Sequence, residues 1–210
     1  MGSVERRTRE RETTRERIID TAREMFAREG YEAVTMRRIA QKIEYTPTAI
    51  YHHFVDKDDL IAEICQRDFG ALASGFARLA TIADPVERLR RIGKVYIDFA
   101  LENPNHYRIL FMTPLPPTAK AGLDQTRNNP DRNAYAFVLQ TVQECIEAGR
   151  FRPEFHDPKL VAQLMWASVH GVASLHIAKG EDEWIEWRSP RTSGARMIDA
   201  MMAGVLRQPE

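Results

Sequence analysis

The stretch TMRRIAQKIEYTPTAIYHHF, Thr35 to Phe54, decides how this chain folds. Ile39, Ala40 and Ile43 recur at the i, i+1, i+4 spacing of one apolar helical stripe, and Ile50 and Phe54 stand four apart in a second. Each of the two short helices therefore has one side to bury. Thr35 and Thr46 sit where an N-cap oxygen accepts from an orphan backbone N–H, and Pro47 takes a first helical position, where its missing N–H costs nothing. Only Glu44 and Tyr45 separate Ile43 from the second cap, and Ala40 is small where crossing helices approach, so the pattern predicts a helix-turn-helix. An ordinary helical hairpin would need both caps, the short turn and the apolar spacing to coincide by accident.

With the inner faces assigned, Arg37, Arg38, Lys42, Pro47, Thr48, Ala49, Tyr51, His52 and His53 remain outside. Such residues suit a DNA groove. Arg37 offers a bidentate pair to guanine, the Thr48 methyl and Ala49 fit a thymine methyl, and Tyr51, His53 and Lys57 can bond phosphate oxygens. Overall charge is balanced, 30 basic against 30 acidic residues. Affinity, however, follows the phosphates neutralised locally. Residues 1–17 hold six Arg against four Glu, and residues 35–54 hold Arg37, Arg38 and Lys42 against Glu44, an excess of two in each. Strongly salt-dependent binding is expected. The run VERRTRERETTRER reads as a flexible basic arm over residues 1–14, reaching the DNA backbone or minor groove, or else as a frayed tail or the start of a charged helix.

The stretch from about Arg15 to Ile64 resembles the DNA-binding domain of the TetR family of bacterial transcriptional regulators. RERIIDTAREMFAREGYEAVT is similar to the family's first helix and following turn, with Ile18, Ala22 and Phe26 at four-residue steps and Gly30 where the helix stops. TMRRIAQKI resembles the second helix, and TPTAIYHHFVDKDDLIAEI the recognition helix running into the fourth. The resemblance implies DNA contacts from Thr35, Arg37, Thr46, Pro47, Thr48, Ala49, Tyr51, His52, His53 and Lys57. Glu44 stands where family members usually carry Gly, and Thr48 where many do. Glu44 is expected to need a left-handed backbone, with its charge turned unfavourably toward DNA.

A chain of 210 residues accommodates a DNA-binding domain over 15–60 and a second core over 61–210. No apolar run is read as long enough to span a bilayer and the N-terminus lacks a signal-peptide pattern, so a cytoplasmic protein is expected. Cys65 and Cys145 have no CxxC spacing and read as reduced thiols within helices. Nothing suggests a metal site, a cofactor or catalytic residues. The second core reads as helices over Asp58 to about Ile82, Pro85 to Glu102, Arg132 to Gly149, Pro158 to about Gly180 and Ser193 to Arg207, so the fold class is all-α. Between them, residues 113–130 (TPLPPTAKAGLDQTRNNP) form a Pro-, Gly- and Asn-rich connection, either a disordered excursion or a flap over a pocket.

WASVHGVASL, with Trp166, His170 and Gly171, together with ENPNHYRILF, resembles the C-terminal domain of a TetR subgroup named for its Trp, His and Gly. Such a domain binds ligand and dimerises. Candidate pocket residues are Tyr96, Phe99, Tyr107, Phe111, Phe137, Met165, Trp166 and His170, although aromatic residues at helical spacing commonly form core, and His170 reads first as a hydrogen-bonded structural histidine. Gly171, Ser174, Met197, Met201 and Val205 are candidate dimer residues, on two helices per subunit that would build a four-helix interface. The expectation is a homodimeric repressor that binds a palindromic double-stranded operator and is released by a small-molecule effector. A helical enzyme or a protein-interaction module without DNA binding is the alternative.

Overall fold

The computed structural model describes residues 3–126 and 128–207, and among these the regular structure is helical, apart from one isolated bridge between Phe151 and Leu206. Met1 and Gly2 of the expected arm, Arg127 of the 113–130 connection and residues 208–210 lie outside the described residues. The helices are α1 Ser3–Glu29, α2 Met36–Lys42, α3 Pro47–Tyr51, α4 Lys57–Ala77, α5 Pro85–Glu102, α6 Pro104–Tyr107, α7 Pro117–Asp124, α8 Ala134–Glu147, α9 Pro158–Lys179 and α10 Pro190–Val205. Their starts follow local chemistry. Thr35, Thr46, Asp84, Asn133 and Asp157 each accept a bond from a first-turn backbone N–H, and Pro47, Pro85 and Pro158 take the first position.

Three expectations are corrected. The residues read as an arm are the first turns of α1, which begins at Ser3; Arg and Glu are good helix formers, and pairs such as Arg6–Glu10 (3.5 Å) add i, i+4 support. The 113–130 connection is not structureless, since Pro117 opens the eight-residue α7. The last helix starts at Pro190 rather than Ser193.

The chain divides into two compact units, the first running to Asp68 and adding Asn105–Gln125, the second comprising Phe69–Pro104 and residues from Thr126 onward. By packing, the first unit is thus discontinuous, whereas the expected domains, 15–60 and 61–210, divide the chain once. Polar contacts fasten the added segment. Asp68 on α4 is buried and accepts two bonds from Arg23 on α1, Nε to Oδ2 and Nη2 to Oδ1, both 3.0 Å. His106 Nδ1 on α6 lies 3.1 Å from the same carboxylate. Farther along, Thr118 bonds Asp58 at 3.4 Å, and Asp58 also accepts from the Tyr31 hydroxyl. Burial first, and the Asp58 carboxylate next, push the Tyr31 phenol up.

Within the first unit, Ile39, Ala40, Ile43, Ile50 and Phe54 are all buried, as their spacing predicted. The turn joining α2 to α3 is closed by two backbone bonds, Tyr45 N to Ala40 O (2.9 Å) and Glu44 N to Gln41 O (3.2 Å). That is the pairing of a Schellman motif, whose C′ residue must be left-handed. Here that residue is Glu44, at φ 62°. The end of α8 makes the same pair of bonds, Arg150 N to Cys145 O and Gly149 N to Ile146 O, with Gly149 at φ 64°. One motif thus appears twice, once with the residue that suits it and once without.

The second unit packs α9 against α5, α8 and α10, and α5 against α8 and α10. Close approach of α5 and α10 is set by Gly93 and Gly194: a Cβ at Gly194 would stand 2.2 Å from Ile97 Cδ1, and one at Gly93 would stand 2.8 Å from Ile198 Cδ1. Both cysteines are buried free thiols, each pushed up to about 12 by desolvation. They are poor thiolates.

Removing one partner from a buried ion pair leaves the other charge uncompensated, which costs about 3–5 kcal/mol. Asp68→Ala should lose stability on that scale in urea unfolding; a change within experimental error would show that the Arg23 contact is not structural. Glu44→Gly should do the opposite. Relief of left-handed strain of ~1–2 kcal/mol, less the entropy that Gly adds to the unfolded chain, predicts a net gain of up to ~1 kcal/mol in the same measurement.

Candidate nucleic-acid interface

The buried Ile50 and Phe54 anchor α3 and leave its opposite face outward. Thr48, Tyr51 and His52 are exposed, with Tyr51 at 53% of its full accessibility, and Pro47 lies beside them. Ala49 and His53 are half-buried. The threonine oxygens of Thr35 and Thr46 are already engaged as caps, each accepting at 3.3 Å, from Arg38 N and Ala49 N respectively. Their exposed methyls and backbones remain available to a ligand.

The basic residues divide into two groups. Arg37 and Lys42 are exposed, on α2. Arg38, although exposed, is tied to Glu29 at 2.7 Å and to the Ala33 carbonyl at 2.8 Å. Lys57 is half-buried; its ammonium donates to the Tyr31 carbonyl at 2.9 Å and sits 4.0 Å from the Tyr31 ring centroid. Arg15 reaches Glu63 at 3.0 Å and lies over the Phe54 ring, while Arg67 bridges Glu63 and Glu16 at 2.6 Å each. Burial pushes Glu63 upward, but bonds from Arg15 and Arg67 outweigh it and hold this carboxyl below its usual range. Sequence reading missed these internal commitments, because an arginine's partner 48 residues away leaves no local signal.

The candidate pocket residues are divided between the two units. Tyr107 and Phe111 belong to the first unit, their rings 5.1 Å apart, whereas Tyr96, Phe99, Phe137, Met165, Trp166 and His170 belong to the second. There the indole of Trp166 donates to the Tyr96 hydroxyl at 3.0 Å, and that hydroxyl lies 3.2 Å from His170 Nδ1. Desolvation pulls the His170 imidazole down, so a neutral ring accepting the hydroxyl proton suits the arrangement. Tyr135 packs on Trp166, with centroids 6.1 Å apart.

On α9, Leu160, Leu164, Ala167, Leu175 and Ala178 share one exposed stripe, with Gly171 inside it. A Cβ at Gly171 or Gly204 would meet nothing within 4 Å, so neither glycine serves packing within the chain. Ser174 is half-buried and bonds the Gly171 carbonyl. Met197 is exposed and Met201 half-buried on α10, but Val205 is buried with Ile198 and Met202 on the opposite, inward face. Val205 is thereby removed from the candidate dimer residues. The expectation that no apolar run reaches membrane-spanning length is also corrected: by length and composition alone α9 is long and apolar enough, its two lysines, Lys159 and Lys179, standing near its ends. Its Val161, Ala162, Val169 and Ala173 nevertheless face the core.

Two family descriptions match the chain: "Bacterial regulatory proteins, tetR family" over residues 18–64, and "Tetracyclin repressor-like, C-terminal domain" over 89–201. The HTH-type transcriptional activator FasR of Mycolicibacterium smegmatis is 31% identical over 48% of this chain and 47% of its own length. The transcriptional regulator UidR of Escherichia coli is 30% identical over 45% and 42%. The chain thus spans about half the length of these relatives. The transcriptional repressor KstR2 of Mycobacterium tuberculosis is 29% identical over 72% of this chain and 78% of its own. The solved structure of KstR2 superposes with a TM-score of 0.71 at 19% identity, covering 93% and 96% of the two chains. FadR of Bacillus halodurans, a fatty acid degradation regulator, does so at 0.72 and 16%, covering 90% and 95%. The C-terminal match names the tetracycline-repressor type and does not confirm the Trp-His-Gly subgroup, which rests on the resemblance of WASVHGVASL and ENPNHYRILF. With both halves matched, the chain belongs to the TetR family of bacterial regulatory proteins, a family of transcriptional regulators and not of enzymes.

Proposed function

We propose that this chain is a ligand-responsive transcriptional repressor of the cytoplasm that binds a palindromic operator as a homodimer and is released by a small-molecule effector. The observation that carries the DNA-binding reading is α3 itself, with Ile50 buried beneath it and Thr48, Tyr51 and His52 exposed above. Thr48 and Ala49 are small enough to let the backbone sit deep in a major groove, Arg37 and Lys42 are exposed on α2, and Tyr51 and His53 would meet phosphates, joined by Lys57 once its ammonium leaves the Tyr31 carbonyl. Dimerisation is supported by the apolar stripe of α9 and by Met197 and Met201 of α10, which would meet their symmetry mates in a four-helix contact. The effector would occupy the second unit near Tyr96, Trp166 and His170. It lowers DNA affinity only by the amount it prefers the non-binding state.

Selection of binding duplexes from a random library, followed by titration of the recovered sequence, tests the reading. Arg37→Ala should cost about 1–3 kcal/mol and relax specificity, whereas Tyr51→Phe should weaken all sequences alike. Failure to recover any preferred duplex would leave the interaction-module reading in its place. Leu164→Glu combined with Met197→Glu should yield a folded monomer in sedimentation. An unchanged dimer would move the interface elsewhere.

A further inference from the structure

Beside the exposed face of α3 lies an open groove that its own residues only half define. Its other wall is α1: Glu10, Arg11 and Thr14 face Tyr45 of the turn and His52 and His53 at the end of α3. The Tyr45 hydroxyl stands 3.4 Å from Thr14 Oγ1, and the Arg17 guanidinium lies 5.6 Å from the Tyr45 ring centroid. Hydroxyls, an arginine and two imidazoles thus converge on one trough. That donor set fits a phosphodiester oxygen.

His53 is the unusual member. Its Nδ1 is buried with no hydrogen-bond partner. The charged groups around it are Arg11 and Arg15 on α1 and His52 just after α3, all opposing a proton, and Glu12 on α1, favouring one; Glu10 lines the groove but is paired with Arg6. Arg15 is committed to Glu63. Desolvation first, and Arg11 next, hold the imidazole below its ordinary range, so the free protein keeps it neutral near pH 7.

We propose that this groove is a sugar-phosphate site in which Arg11 and His53 act together, His53 taking up a proton as duplex DNA enters. The inference rests on the DNA-binding reading above and adds α1 and proton linkage to it. A phosphodiester adds negative charge to that already supplied by Glu10 and Glu12. Its arrival reverses the balance at His53, and the protonated ring then donates a charge-assisted bond to it. The pKa is therefore higher in the complex than in the free protein. The resulting affinity is fully present below the free-state value and is lost as pH rises through the bound-state value. Each unit between the two is worth a factor of about ten per subunit.

The experiment is anisotropy titration of the duplex recovered by selection, at fixed ionic strength, from about pH 5.5 to 8, the range in which histidine titrates. Wild type should tighten several-fold on acidification and His53→Gln should lose that dependence, while His156→Gln, altered on an exposed residue of the second unit, should keep it. Arg11→Ala should weaken binding at every pH and lower the salt slope by about 0.9, the loss of one phosphate contact. The His53 ring signal in NMR should titrate higher with duplex added than without, a readout independent of any variant's folding. An unchanged pH slope in His53→Gln, an unmoved NMR titration, or wild-type salt dependence in Arg11→Ala would overturn the site while leaving DNA binding intact. A wild type that binds no duplex at any pH would overturn both.

Discussion

The constraint on which the DNA-binding head depends is the turn at residues 43–45. Two backbone bonds, from Tyr45 to Ala40 and from Glu44 to Gln41, fix how α3 leaves α2. One residue more or fewer there would rotate α3 by about 100° about its axis, since a helix turns once in 3.6 residues. Ile50 and Phe54 would then leave the core and Tyr51 would enter it. The left-handed Glu44 costs about 1–2 kcal/mol. Four large buried apolar side chains in and just beyond the two helices, Ile39, Ile43, Ile50 and Phe54, each worth ~1.5–3 kcal/mol, more than offset it. The strain is tolerated because the packing around it admits no other path.

What was legible in the sequence was local. Thr35, Thr46, Pro47, Asp157 and Gly149 mark helix ends through their own backbone neighbours, and Glu44 was expected to be left-handed because it stands where the family it resembles usually carries Gly. Long-range pairing was not. Asp68 in mid-helix reads as a solvated carboxylate, yet it is buried by an arginine 45 positions earlier and a histidine on a segment that returns from the other unit. The Arg- and Glu-rich start reads equally well as arm or helix, since composition alone does not distinguish them. The final helix has apolar residues on two faces, and nothing in Met, Ile or Val tells which face turns inward. Val205 fell on the buried side for that reason. Gly93 and Gly194 passed unnoticed because a glycine needed for close approach looks like any other until its neighbour is known.

Helix α9 carries two apolar faces with separate uses. Val161, Ala162, Val169 and Ala173 fill the second unit's core, and Leu160, Leu164 and Leu175 remain outside. A helix apolar all round is normally enclosed. This one is enclosed on one side only, and its outer side includes a glycine with open space in front of it. Such a surface is suited to a second helix at short range, and the proposed homodimer would supply one by symmetry. Between these faces, Trp166 Nε1 donates to the Tyr96 hydroxyl, which lies against His170 Nδ1, so a polar cluster persists where α5 meets α9.

Electrostatics complete the picture of the head. The chain is neutral overall, and in the first unit much of its positive charge is spent internally: Arg15 and Arg67 on Glu63, Arg23 on Asp68, Arg38 on Glu29, Lys57 on the Tyr31 carbonyl. These contacts hold α1, α2 and α4 in register but subtract from the field that a polyanion meets. Outward cations include Arg37 and Lys42 on α2, Lys120 on α7 and the exposed arginines of α1. Few cations then carry the attraction, so each phosphate contact takes a large share of it. A histidine that acquires charge only in the complex adds to that small number without burdening the free protein with repulsion.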